Sequence, residues 1–134
     1  MAAFPVADVP DDSSALRRIS EDWYVPDGRG GRRVSSAAFQ LKDGTISVGL
    51  ECVILALGLT SVVMISKHPS YGLAAVHIGV VRGDLGLGVR HDPTPEEPWH
   101  GGIHGKITKS CRNQLAVAAT GGLVVRPPAA SQPG

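Results

Sequence analysis

Nineteen residues from His91 to Lys109, HDPTPEEPWHGGIHGKITK, carry three prolines and three glycines, and that punctuation excludes a helix through this part of the chain. Asp92-Pro93 ends one extended segment, because proline fixes its own φ and pushes the preceding residue out of the helical region. Pro95 and Pro98 keep the following loop stiff, Glu96 and Glu97 keep it in water, and Trp99 is the first side chain able to re-enter apolar surroundings. A strand is predicted next. From His100 to Ile107, the residues Ile103 and Ile107 alternate onto one side while His100, His104 and Lys106 take the other.

The chemistry of this stretch narrows on inspection. His100 and His104 have the four-residue spacing of a metal pair, but that spacing joins two rings only on a helix. On a strand their Cα atoms stand roughly 13 Å apart at about 3.3 Å per residue, so no metal site is predicted and Asp92 reads as a turn former. A phosphate loop is also excluded: His100 stands where its first glycine should be, and Ile107 separates Lys106 from Thr108. What remains is an anion preference, with Lys106, Thr108, Lys109 and Ser110 leading into a helix start. His100 and Lys106, on one strand face, form the expected pH-sensitive anion site.

At 134 residues the chain fits one domain with a real core. Only 4% of it is aromatic, so Val, Ile, Leu and Ala must fill the interior at close backbone distances. Thirteen basic against twelve acidic residues leave no long-range field of the kind a general nucleic-acid binder needs. Cys52 and Cys111 have neither the spacing of a metal knuckle nor that of a disulfide framework, which fits a reducing cytoplasm. No signal peptide is expected at the N-terminus, and the apolar run Val53 to Met64 is too short and too interrupted to span a bilayer. Residues 1–14 are expected to be a flexible leader, 15–125 the domain and 126–134 a disordered tail.

Taken in order, Asp11 to Ser14 can cap a short helical segment from Ala15 to Ser20 that turns Leu16 and Ile19 inward. Arg17 and Arg18 cannot both be buried, and one of them is expected to reach toward a site. Trp23 to Val25 reads as a strand ended by Pro26-Asp27-Gly28, and Gly28 to Arg33 as a flexible basic loop. Ser35 and Ser36 form a hydroxyl pair beside Phe39, with no neighbouring base to activate either as a nucleophile. Ile46 to Leu50 is a strand and Glu51 to Gly58 a short buried helix whose first-turn Glu51 favours the dipole. Leu73 to Val81 is a buried central strand that encloses His77 as a core histidine. Leu85 to Arg90 extends again, Thr108 to Ala119 is the clearest helix, and Leu123 to Val125 an edge strand.

Arg17-Arg18-Ile19, Arg33 through Phe39, Ser47-Val48, and Asp92-Pro93 through Pro98, His100, Gly105, Lys106, Thr108 and Lys109 together resemble a family of short bacterial proteins without an established activity. The resemblance spans most of residues 15–119 and implies a coherent domain with a shared surface rather than a reaction. Gly101 departs from the pattern, which predicts an irregular strand there. The expected architecture is a single α+β domain, a mixed or mostly antiparallel sheet carrying two helices. Its expected function is that of a cytoplasmic binding or accessory module for a protein or an anionic, phosphate-bearing partner. Arg18, Arg33, Ser35, Ser36, His100, Lys106 and Lys109 are the candidate site, with no cofactor. The alternative is a small enzyme on a phosphate-bearing or nucleotide substrate, resembling ADP-ribosyltransferases. That enzyme would gather Arg18 or Arg33, Ser35 or Ser36, and Glu51 or His100 in one pocket.

Overall fold

Strand β1, Ser14–Ile19, lies inside a six-stranded antiparallel sheet. Its neighbours are β4, Ile46–Leu50, and β5, Gly72–His77. Beyond β4 come β7, His100–His104, and then β6, Gly88–His91, at one edge; β8, Leu123–Val125, closes the other. A separate hairpin pairs β2, Tyr24–Pro26, with β3, Arg32–Val34. The structure is a computed structural model and describes residues 9–67 and 70–125. The tail from 126 onward and the first eight residues lie outside it. Val9, within the described part, is packed into the core.

Two layers cover the sheet. Ala15, Ile19, Ile46, Val48, Ala74, Val76 and Ile103 pack with Leu115, Ala116 and Ala119 of helix α2, Lys109–Gly121, and with Ala38 and Phe39 of a 3-10 turn. On the opposite face, Leu16 and Leu73 pack with Ile54 of helix α1, Glu51–Ala56, with Met64 and Ile65 of a second 3-10 turn, and with Trp99. A further helical segment is the π-turn Val80–Asp84. The molecule is therefore a single α+β domain with an antiparallel sheet.

The helix expected from Ala15 to Ser20 is instead strand through Ile19. A central strand covered on both faces buries consecutive residues, so Leu16 and Ile19 are both inaccessible but in different layers, and the period-two signal disappears from the sequence. The strand expected over Leu73 to Val81 stops at His77, which is exposed. Beyond it Ile78 and Gly79 donate their N–H groups to the carbonyls of Ser13 and Asp11 and the chain coils. The loop expected from Gly28 to Arg33 is instead closed as a hairpin: the Asp27 carboxylate accepts the N–H groups of Arg29 and Gly31 at 2.7 and 3.0 Å. Gly101 keeps regular pairing with both Val48 and His91, because a side chain there would meet the Arg90 carbonyl and Leu50 at 2.8 Å.

Trp99 does anchor the proline-rich loop, at 8% exposure against Leu16, Ile54 and Met64. Its truncation to alanine should lower the unfolding free energy by about 3 kcal/mol, within the range for a large aromatic side chain lost from a core. Leu55→Ala, at a side chain 60% exposed, should cost no more than about 0.5 kcal/mol. Equilibrium denaturation of both variants checks the contrast.

Candidate functional site

The sheet has a gap. Strand β1 pairs with β5 over six residues, but with β4 only at Ala15↔Leu50 and Leu16↔Gly49. The next positions in that register, Arg17 against Val48 and Arg18 against Ser47, do not pair. The ladder alternates: Leu50 donates its N–H to Trp99 and Ala75 donates to Gly122, each on the outer side of its strand. That alternation turns the peptide groups of Arg18 and Ser47 toward each other across the gap.

Arg17 occupies the space the ladder leaves. Its Nη1 donates to the Ser47 carbonyl at 2.6 Å and its Nε to the Ala38 carbonyl at 2.8 Å, while the guanidinium stands 5.7 Å from the centroid of the Trp23 ring. Burial, reinforced by the charge of Arg18, pulls Arg17 down to about 10, so it remains a cation at neutral pH although its surroundings disfavour the charge. Among the described residues no carboxylate lies against it. Arg18 points to the other face, where it donates to the Met64 carbonyl and pairs with Glu97.

A cleft of about 170 Å³ opens at the gap. Arg17, Trp23 and Val48 line it from the α2 side, and Arg18, Met64, Glu97 and Trp99 from the α1 side, with Tyr71, Ser47 and His100 completing the wall. Side chains from both layers can share one cavity only because the strands part. A second cavity of about 350 Å³ adjoins it, with Lys67, Thr94 and Glu96 on its outer wall.

The loop 92–98 is positioned by short polar contacts. The buried His91 ring donates from Nε2 to the Pro98 carbonyl at 2.6 Å, and the Glu97 N–H bonds to the Thr94 hydroxyl at 3.0 Å. His100 donates from Nδ1 to the Asp92 carbonyl at 2.9 Å, with the Asp92 carboxylate at 3.9 Å. That bond fixes the tautomer and leaves Nε2 as the ring's acceptor.

Of the seven residues expected to form a site, Arg18 and His100 line this cleft. Arg33 is exposed on β3, and Ser35 caps the 3-10 turn by accepting the Ala37 N–H at 3.2 Å, with Ser36 half-buried beside it. None of the three is in the cleft wall, and neither is Glu51. Lys106 and Lys109 are exposed near the start of α2, where the Thr108 hydroxyl caps the Cys111 N–H at 3.1 Å. Lys106 lies two residues past the end of β7 and is not in the wall that His100 lines. The residues the sequence left out are Arg17, Trp23, Tyr71 and Glu97. The signal available for Arg17 was the Arg-Arg pair, which on a strand sends one guanidinium to each face; Trp23, Tyr71 and Glu97 had none of that kind.

No known protein family, curated protein or solved structure matches this chain. The cleft must therefore be read from its own chemistry. Among the described residues no cluster of three or more metal-ligating side chains occurs, and no helix is long and apolar enough to cross a membrane.

Gly49 shapes the α1 side of the cleft. A Cβ there would overlap Met64 Sδ and stand 3.1 Å from Trp99 Cδ1, so Gly49→Ala should push Met64 or Trp99 off the sheet. The expected cost is about 1–3 kcal/mol, together with a change in tryptophan fluorescence of the folded protein; a spectrum and stability equal to the parent's would show that the two side chains are not seated on Gly49. The Cys111 thiol is held below the usual cysteine range by its hydrogen bonds to Thr108, hydroxyl and backbone. Thr108→Val should slow its alkylation by iodoacetamide several-fold at pH 7.

Proposed function

We propose that the protein is a binding module for a small anion carrying an apolar or aromatic body, held in the gap between β1 and β4. The observation that carries this reading is Arg17, a half-buried cation with two carbonyls and an indole for partners and, among the described residues, no carboxylate. A partly buried charge without a counter-ion carries a desolvation cost, and an anion entering beside it offsets that cost. Guanidinium groups suit carboxylate and phosphate alike through parallel N–H donors.

Size and lining restrict the ligand further. About 170 Å³ compares with the roughly 150 Å³ cavity that holds one benzene ring, too small for a whole nucleotide. Trp23, Tyr71, Met64 and Trp99 offer aromatic and thioether surface to such a body. The serine pair on which a transferase reading rests lies outside the wall, so binding is the reading the geometry supports. An accessory role in the cytoplasm of a bacterium is part of the same proposal; its support is the free thiols of Cys52 and Cys111 and the resemblance to short bacterial proteins.

Thermal unfolding with 3-phenylpropionate or phenyl phosphate tests the reading. A ligand at a hundredfold excess over its Kd should add about 2.7 kcal/mol to stability, against no comparable effect of sodium chloride at equal ionic strength. Arg17→Met keeps the aliphatic stem and removes the charge, and it should abolish the shift. An equal shift in the variant and the parent would contradict a site at Arg17.

A further inference from the structure

The pairing of Arg18 with Glu97 restricts what the cleft accepts. The two side chains are 28% and 30% exposed, and both line the inner cleft and the adjoining outer cavity. Their ion pair is thus the partition between the two spaces. Thr94 fixes the backbone of Glu97, through Glu97 N–H to Thr94 Oγ1 at 3.0 Å, which keeps the residue in this wall. Arg17 lies on the far side of the same cleft, with no carboxylate among the described residues paired to it.

A simple anion drawn to both arginines would compete with Glu97 for Arg18 and set a second negative charge beside its carboxylate. Like charges at that range oppose binding, and a half-buried carboxylate left alone adds to the cost. A ligand that also brings a positive charge avoids both penalties, because each of the five charges, three positive and two negative, then keeps an opposite neighbour.

We propose, building on the anion-binding reading, that the cleft takes a small zwitterion of the α-amino-acid type, its carboxylate between Arg17 and Arg18 and its ammonium group on Glu97. The side chain of the ligand rests against Trp23, Tyr71, Met64 and Trp99, which favours an aromatic or large aliphatic group. Glu96 and Thr94 on the outer wall provide further acceptors near the ammonium end. His100, donating from Nδ1 to Asp92, presents Nε2 as an additional acceptor for the ligand. Recognition of both charges separates this ligand class from fatty acids and phosphate esters of equal size, which lack the cation.

Isothermal titration calorimetry at pH 7 with L-phenylalanine, 3-phenylpropionate and 2-phenylethylamine isolates each charge on one hydrocarbon body. L-leucine against 4-methylpentanoate repeats the comparison on an aliphatic one. The expected result is at least tenfold tighter binding of each amino acid than of its des-amino acid, with no binding of the amine. Glu97→Gln, checked for folding by circular dichroism, should reduce that advantage to less than twofold. Equal affinity of the amino acids and the des-amino acids for the parent protein would overturn the zwitterion and leave the anion site standing. Absence of binding in all five titrations would overturn both, and the parent protein alone decides between these outcomes if the variant does not fold.

Discussion

The β1–β4 ladder stops after two residue pairs, and the location of the cleft, its lining and its charge follow from that stop. Strands that continued in register would pair Arg18 with Ser47 and leave no room for a ligand. Instead the chain separates the strands by one side chain, and the Arg17 guanidinium bonds the Ser47 carbonyl that a peptide N–H would otherwise satisfy. The ladder leaves this carbonyl without its peptide donor, and a long cation supplies one at a greater distance than a main chain can. The gap is stable because both flanks are secured elsewhere, β1 by six pairs to β5 and β4 by four pairs to β7.

The same substitution explains the electrostatics. Two arginines adjacent on one strand would repel in a shared environment, but alternation sends them to opposite layers. Arg18 finds Glu97, seventy-nine positions away in sequence, at the end of a loop that His91 and Thr94 hold in place. Among the described residues Arg17 finds two carbonyls and an indole, and its lowered pKa reflects burial first and the neighbouring cation second. The asymmetry between a paired and an unpaired arginine gives the cleft its chemical direction.

Much of the scaffold was legible in the sequence. Strands at Ile46 to Leu50 and from His100, helices at Glu51 and after Thr108, and an edge strand at Leu123 follow from alternation, capping and glycine punctuation. Strand β1 was not legible, since burial on both faces leaves consecutive apolar and basic residues with no period to read. The turn at Ile78 was missed for a related reason: Val76, Ile78 and Val81 are all buried, so composition continues smoothly across the end of a strand. The site was only partly visible. Arg18 and His100 are in the cleft, but Arg17 gains its role from a gap in strand pairing, and pairing between residues so far apart leaves no local trace.

Amide hydrogen exchange, resolved residue by residue by NMR, tests the gap most directly. Leu16 and Gly49, paired across β1 and β4, should exchange slowly, at rates governed by large-scale unfolding, whereas the Arg18 and Ser47 amides that face the gap should exchange far faster. Equal protection of all four amides would mean that the ladder continues through Arg18 and Ser47, and would contradict the cleft on which the account rests.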